Sequence, residues 1–432
     1  MNRQLTSYEQ VSLLIDQGIS QNFVMIANIE KSLPEAILRK ALILIQKKHP
    51  HLRIRITEDE SPRFISDDIP EIPLIIKERK DDNSWIEVAE REMQTQLPFS
   101  KGPFVRVVQL TSQDKCDLVI AFCHIVADAT SGVYFVKHLL EIVEKLSQGL
   151  EEPGPILPEL PSNLDLLKKD LKFKPDFMDI KGWLMRALHK PAELEGDANV
   201  SPEKRVTRVL QRILSSSETQ KLVARCKEEG TSVHSILCAS FLQTIIEQIR
   251  KTQPIPKKGA LMIGCTTPVN MRHHFEIPVG ESLGDYISHA LHFQLIDENS
   301  SIWEAAKKVK KSIERELKYG RDIKATEGVG DLLKAHPTPI EMVRGLMDEF
   351  PPVAVTNMGR LDIQEKFGDI ELKGLHYVVS INPACKNGFA ISVTTFRDSL
   401  TLNFLYSEPY ISNERANAIT ESTMNRLKTA TV

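Results

Sequence analysis

The residues best suited to chemistry lie in one short stretch, AFCHIVADATSG, at positions 121–132. An apolar run ends there in His124, and Asp128 follows four positions later. A neutral imidazole can take a proton from an attacking hydroxyl or amine, because its unperturbed pKa is about 6.5. Such a general base contributes roughly 10²–10⁴ in rate. His124 is therefore the candidate base. Asp128 lies in a turn before a helix, and its position alone indicates an ordinary N-cap.

A second motif, GESLG at 280–284, fits the G-x-S-x-G pattern of serine hydrolases and would make Ser282 a nucleophile. That reading requires a strand that runs straight into a tight turn and then a helix. Here Pro278 precedes the motif, and the residues after it, DYISHALHFQL, alternate as a strand does. An ordinary glycine loop is favoured, and a serine hydrolase is the alternative.

Other polar clusters give weaker signals. The pair His273 and His274 in RHHFE lacks a second ligand pair at metal spacing, so we predict exposed loop histidines and no metal site. The basic run KKVKKSIEREL at 307–317 is interpreted as a solvated helix face, with a phosphate-binding patch as the alternative. Neither G-x-G-x-x-G nor G-x-x-x-x-G-K-[ST] occurs, so no motif supports a nucleotide site.

Composition narrows the class of protein. The chain has 432 residues, of which 41% are hydrophobic, which predicts two or three globular domains. Its net charge of −3 gives no electrostatic reason to expect nucleic acid as a partner. Its apolar runs are shorter than the roughly 20 residues that span a bilayer. Six scattered cysteines without a C-x-x-C pair, and a polar start without a signal sequence, predict reduced thiols in a cytoplasmic protein.

Alternating strand and helix patterns must position His124. Strands are expected at 52–57, 104–110 and 117–124, and a helix at 132–148. The run at 117–124 is apolar on both faces, which is typical of a central strand covered on both sides. Ser32 and Glu35 form a candidate capping box for an early helix. His124 would then stand at the C-terminal end of a central strand, where α/β folds place their chemistry.

The middle of the chain divides it. After Gly149 the sequence is dense in proline and charge, which indicates the start of an interdomain linker. We predict a first domain over 1–165, a linker over 166–204 and a second domain over 205–432. In the second domain, strands are expected near 260–268, 287–296, 352–357, 372–380, 389–397 and 400–406, and a helix near 302–318. The fold class is α/β.

At this point a family resemblance becomes visible. The segment CHIVADA resembles the H-H-x-x-x-D-G signature of the condensation-domain superfamily. That superfamily includes peptide-synthetase condensation domains, polyketide-associated acyltransferases, the plant BAHD acyltransferases and chloramphenicol acetyltransferase. Further segments resemble the superfamily in the same order along the chain: LPFSKGPFVRVVQL (97–110), TSVHSILCASFLQTI (231–245), TPVNMR (267–272), GESLGDYIS (280–288) and TNMGRLD (356–362).

The resemblance implies two chloramphenicol-acetyltransferase-like domains, each a mixed sheet with flanking helices, which form a pseudo-dimer around a tunnel. It implies His124 as general base for direct attack on a thioester, without cofactor or covalent acyl-enzyme. Asp128 would pair with Arg272, with Arg360 as the second choice, and Asn357 would support the site. The implied substrates are an acyl-CoA or acyl carrier protein as donor and an alcohol or amine as acceptor.

Two positions depart from the signature. The first histidine is Cys123 and the glycine is Ala129. Neighbours on a strand point to opposite faces, so we expect Cys123 to pack away from the tunnel as a small hydrophobe. Alanine restricts the turn that glycine would allow. The departures keep a second hypothesis, a non-catalytic module that binds a carrier protein, beside the acyltransferase.

Overall fold

The computed structural model describes residues 1–168, 189–255, 258–349, 351, 353–381 and 388–431. The strands within these ranges are β1 (Asn2–Gln4), β2 (Asn22–Ile29), β3 (Arg55–Ile56), β4 (Arg63–Ile65), β5 (Leu74–Glu78), β6 (Val105–Thr111), β7 (Cys116–Cys123), β8 (Val206–Leu214), β9 (Leu261–Asn270), β10 (Ile287–Ile296), β11 (Val353–Arg360), β12 (Lys366–Phe367), β13 (Ile370–Val379), β14 (Phe389–Phe396) and β15 (Ser399–Glu408). The helices are α1 (Ser7–Gly18), α2 (Glu35–Lys48), α3 (Ser84–Gln94), α4 (Ala129–Ser147), α5 (Asn163–Leu166), α6 (Ser216–Glu228), α7 (Val233–Thr252), α8 (Ile302–Lys318), α9 (Arg321–Glu327), α10 (Val329–Ala335), α11 (Pro339–Glu349) and α12 (Asn413–Thr429).

Two six-stranded mixed sheets form the body of the protein. The first has the order β12-β13-β2-β7-β6-β5 and the second the order β10-β9-β11-β14-β15-β8. In the first sheet β5 and β6 run parallel, and in the second β11 runs parallel to both β9 and β14. Helices flank both sheets, and the predicted α/β class with two mixed sheets is confirmed.

Strand β7 is buried along its whole length because helices cover both faces of the first sheet. Leu118, Ile120 and Phe122 face a core that α2 and α4 complete. Val119 and Ala121 face a second cluster that includes α3 and residues of the other sheet. The predicted central strand is therefore confirmed, and the second cluster fixes the two sheets against each other.

A segment late in the chain completes the first sheet. Strand β13 pairs antiparallel with β2, with Val379 opposite Phe23 and Tyr377 opposite Met25. Residues 366–379 lie in the predicted second domain, yet they contribute two strands to the N-terminal sheet. This exchange places β13 beside both sheets and was not predicted from the sequence.

Several predicted elements match the structure, and a few do not. Strand 287–296 and helix 302–318 are confirmed with the same bounds. The strand predicted at 52–57 is wrong, because a 3₁₀ turn covers Pro50–Leu52 and only Arg55–Ile56 pair. The capping box at Ser32 is also wrong. Helix α2 begins at Glu35 after Pro34, and the Ser32 hydroxyl lies 2.8 Å from that of Thr111 instead.

Of the predicted linker, residues 169–188 lie outside the described part of the chain. Helices α9, α10 and α11 were not predicted at all. None of the helices in the described ranges is long and apolar enough to cross a membrane.

Candidate active site

His124 is the first residue after β7, and it begins the turn that leads into α4. The turn closes through a hydrogen bond from the Val126 N–H to the Cys123 carbonyl at 3.2 Å. The imidazole lines a cavity of about 150 Å³ that is bordered by residues of both sheets. The end of a fully buried strand thus places a titratable side chain in the space between the sheets.

The cavity has apolar walls with a few hydroxyl groups. Its lining residues are Tyr8, Ser12, Gln21, Phe23, His124, Ala129, Thr266, Pro268, Asp285, Ile287, His289, Ala354, Thr356, Tyr377, Val379, Ser380, Ile381 and Ala390. The Thr266 hydroxyl is buried and has no hydrogen-bond partner among the described residues. Such a hydroxyl is free to donate to a bound carbonyl oxygen.

The surroundings of His124 favour the neutral imidazole. Burial lowers the pKa of His124, and the opposing effects of the Asp128 charge and of a hydrogen bond to its own backbone are smaller. Nδ1 of the ring lies 3.8 Å from Oδ1 of Asp285, which leaves Nε2 for a bound nucleophile. The Phe23 ring, with its centroid 5.1 Å from that of the imidazole, restricts the ring further. His124 can therefore accept a proton through Nε2.

Asp128 is both an N-cap and half of an ion pair. Its Oδ1 accepts the Ser131 N–H at 2.8 Å, which caps α4. Arg272 donates to both carboxylate oxygens, at 2.7 and 2.9 Å, and the Tyr286 N–H donates to Oδ2 at 3.1 Å. Burial alone would raise the pKa of Asp128, but the Arg272 guanidinium and the hydrogen bonds from Ser131 hold it below its usual value.

These contacts fasten the His124 turn to a loop of the C-terminal part of the chain. The Asp128 N–H donates to the Gly284 carbonyl at 3.0 Å, and the Ser131 hydroxyl donates to the same oxygen at 2.9 Å. The Arg272 guanidinium also stacks 4.8 Å above the Tyr286 ring. A Cβ at Gly284 would lie 2.1 Å from that ring, so only glycine fits there. The structure therefore brings Asp128 and Arg272 together, and their supporting role stays a prediction.

Asn357 and Arg360 lie on β11 but take part in local contacts. The Asn357 side chain accepts the Gly359 N–H at 2.8 Å, which shapes the end of the strand. Arg360 is 66% exposed and forms an ion pair with Asp398 at 2.5 Å. Of the two arginines predicted as partners of Asp128, Arg272 is therefore the one that pairs with it, and Arg360 lies on the surface.

The residues behind the other sequence hypotheses occupy different surroundings. Ser282 is buried in a loop that continues into β10, without the strand–turn–helix arrangement of a nucleophile elbow. Cys123 is buried in the apolar core and does not line the cavity, as expected. Burial raises the pKa of Cys123 well above its usual value, which is the opposite of what an activated thiolate needs. His273 and His274 sit in a short 3₁₀ turn after β9.

A buried group of Cys238, Cys265 and His292 has side-chain ligand atoms within 4.8 Å of one another in the C-terminal core. Its polar atoms already have protein partners. His292 contacts Thr267 and Gln294 at 3.0 and 3.2 Å, and Cys238 contacts His234 at 3.4 Å. We interpret this group as a satisfied hydrogen-bond network of the core.

Sequence reasoning missed Asp285 and Tyr8. Asp285 lies in the loop that carries Ser282, and its Oδ1 is 3.8 Å from Nδ1 of His124. The Tyr8 hydroxyl, from α1, donates to Oδ2 of Asp285 at 3.1 Å. The sequence showed an acidic residue after the GESLG motif, but only the fold brings it beside the histidine.

The chain is similar to one known protein family in sequence and to several solved structures in fold. Residues 203–405 match the family described as phthiocerol/phthiodiolone dimycocerosyl transferase C-terminus. No curated protein sequence matches the chain. The family match covers the C-terminal part of the chain, and the similarity to solved structures described next shows the chloramphenicol acetyltransferase-like fold that the resemblance predicted.

Solved structures share the fold over nearly the whole chain. Trichothecene 15-O-acetyltransferase of Fusarium sporotrichioides is similar with a TM-score of 0.74 and 14% identity, over 99% of this chain and 95% of that one. Polyketide synthase associated protein 5 of Mycobacterium tuberculosis gives 0.69 and 17%, over 99% and 98%. The first condensation domain of the CDA synthetase gives 0.67 and 16%, over 100% and 96%.

Proposed function

We propose that the protein transfers an acyl group from a thioester to a hydroxyl or amine, with His124 as the general base. The observation that carries the proposal is the placement of His124, a partly buried imidazole with a lowered pKa that faces a cavity between the two sheets. An unprotonated base beside an enclosed space can act on a bound nucleophile without competition from bulk water.

The chemistry needs only the chain and its two substrates. Nε2 of His124 removes the proton of the acceptor hydroxyl or amine as the acceptor attacks the thioester carbonyl. The carbon–sulfur bond then breaks, and the imidazolium returns the proton to the departing thiolate. The Thr266 hydroxyl lines the same cavity and is a candidate donor to the developing oxyanion. Proximity of the two bound substrates supplies a further part of the rate.

A hydroxyl acceptor is favoured over an amine. The matched family and the trichothecene 15-O-acetyltransferase are named for transfer reactions, and the latter acts on oxygen. A coenzyme A or carrier-protein thioester is the proposed donor, and a cytoplasmic location is in keeping with that chemistry. The non-catalytic alternative loses support from the structure, because Cys123 packs behind the strand and leaves His124 in the cavity.

The test measures free thiol release from a panel of acyl-CoAs in the presence and absence of alcohols. We expect acceptor-dependent release by the unaltered protein, and a fall of roughly 10²–10⁴-fold in His124→Ala, the range of a lost general base. His273→Ala, in a turn outside the cavity, is the matched control and should keep full activity. Near-normal turnover by a folded His124→Ala protein would refute the general-base role.

A further inference from the structure

A carboxyl group that no motif assigns stands beside the candidate base. Asp285 reaches the cavity from the loop before β10, and Tyr8 reaches it from α1. Oδ1 of Asp285 is 3.8 Å from Nδ1 of His124, and Oδ2 accepts the Tyr8 hydroxyl at 3.1 Å. Tyr8, Asp285 and His124 therefore lie next to one another in that order, although they come from three separate parts of the chain.

The two carboxylate oxygens of Asp285 differ in their hydrogen bonding. Oδ2 is held by Tyr8, whereas Oδ1 is buried and has no hydrogen-bond partner in the ranges that the structure describes. A buried acceptor without a partner is costly and needs an explanation in a native fold. Oδ1 faces the imidazole just beyond hydrogen-bond distance, so a small movement of the ring on protonation would satisfy it.

We propose, on the basis of the proposed function, that Asp285 is a positioning residue for His124 and that Tyr8 orients it. Its carboxylate is the counter-charge for the imidazolium that exists while His124 carries the acceptor's proton. The interaction is weak when the imidazole is neutral and strong when it is charged, so it acts on the transition state more than on the resting site.

The other charges around His124 do not replace Asp285. The charge of Asp128 is partly offset by the bidentate Arg272, and Glu9 on α1 pairs with Arg3 at 2.6 Å. His289 on β10 lines the same cavity, and burial lowers its pKa to about 4, so it is neutral at physiological pH. Within the described part of the chain, Asp285 is thus the carboxyl group beside the imidazole that forms no salt bridge with a lysine or arginine.

The protonation states of Asp285 and His124 predict in which direction each substitution shifts the pH profile. Burial raises the pKa of Asp285 well above its usual value, the nearby Asp128 adds to this, and the Tyr8 hydrogen bond opposes it. The reactive state has a neutral imidazole and an ionised carboxylate. On the acidic side of the pH profile, kcat/KM rises as His124 and Asp285 lose the one proton that they share. We call this rise the acid limb.

Two substitutions should move this limb in opposite directions. Asp285→Asn removes the counter-charge, so the lone imidazole loses its proton more easily and the limb moves to lower pH, by roughly 1–3 units, with a lower plateau. Tyr8→Phe removes a hydrogen bond that stabilises the carboxylate, so the limb moves to higher pH. Tyr8→Phe should have no effect on the limb in the Asp285→Asn background.

The matched control is Asp322→Asn. Asp322 is a buried carboxyl on α9 that contacts Ser288, and its substitution should leave the limb in place.

The same shifts can be followed without turnover, by NMR titration of the His124 ring protons in each variant. Unchanged His124 titration in Asp285→Asn, or shifts of the same sign in both variants, would overturn the role of Asp285. That outcome differs from failure of the proposed function, in which His124→Ala itself keeps its activity.

Discussion

Removing the Asp128 carboxylate should both loosen the fold and stop the chemistry. Asp128 is 1% exposed and its partner Arg272 is 13% exposed, so the pair is largely shielded from water. Breaking a buried pair at one end leaves an uncompensated charge, at a cost of about 3–5 kcal/mol. Loss of an N-cap alone costs only about 1 kcal/mol. The structure contains both interactions, so the cost of Asp128→Ala should lie at the upper end of this range, at about 4–5 kcal/mol.

A second substitution separates the two contributions. Asparagine is as good an N-cap as aspartate but carries no charge. Asp128→Asn should therefore keep the hydrogen bond from Ser131 and lose only the ion pair with Arg272. We expect it to be destabilised by about 1 kcal/mol less than Asp128→Ala. If the two variants were equally unstable, the cap would contribute nothing.

The assay is a double-mutant cycle, with unfolding in urea and thiol release measured for each variant. Residues in one ion pair are expected to couple by 0.5–3 kcal/mol, whereas distant residues are additive within about 0.5 kcal/mol. Arg272→Ala should couple to Asp128→Ala. Arg360→Ala is the matched control, because its exposed pair with Asp398 should contribute only about 0–1 kcal/mol and show no coupling. Additive effects of the Asp128 and Arg272 substitutions would refute the pair.

Two further predictions concern residues outside the proposed proton path. Ser282→Ala should leave thiol release unchanged, since the loop lacks the elbow geometry, and labelling of Ser282 by a fluorophosphonate would contradict this. Asp16→Asn should stabilise the protein at pH 8, because burial raises the pKa of Asp16 from 3.8 to about 6 and ionisation is therefore costly in the folded state. The unfolded chain ionises first, so this cost grows from about pH 4 to pH 6 and reaches ~3 kcal/mol above it. Urea unfolding at pH 4 and pH 8 should show a gain only at the higher pH, and an equal gain at both would contradict the reasoning.

The position of the candidate base could be predicted from the sequence because its signals are local. The apolar run before His124 predicts a buried central strand, and the strand end then fixes where the histidine emerges. The pairing of Asp128 with Arg272 was accessible only through the family resemblance, since 144 residues separate the two. No periodicity or turn signal connects positions so far apart.

The rest of the site depends on tertiary contacts that the sequence does not display. Tyr8 and Asp285 are 277 residues apart, and each has an unremarkable local sequence. The predicted strand at 52–57 failed for a related reason. Its residues alternate correctly, but Pro50 favours a 3₁₀ turn there, and only two residues find a pairing partner in β4. The strand propensity of a segment is therefore not enough, because the strand forms only where a neighbouring strand is available to pair with it.

The pairing of β13 with β2 has a consequence for how the chain is made. Strand β2 ends at Ile29 and β13 begins at Ile370, so the ribosome adds about 340 residues between them. At about 5–20 residues per second this interval is roughly 17–70 s. During it, β2 can pair with β7 on one side while its other edge keeps its N–H and C=O groups unpaired. An open edge of that kind attracts strands of neighbouring nascent chains. The yield of soluble protein should therefore fall as the rate of expression rises. A chain truncated before β13 that has already aggregated should not be rescued by residues 353–408 supplied as a separate polypeptide.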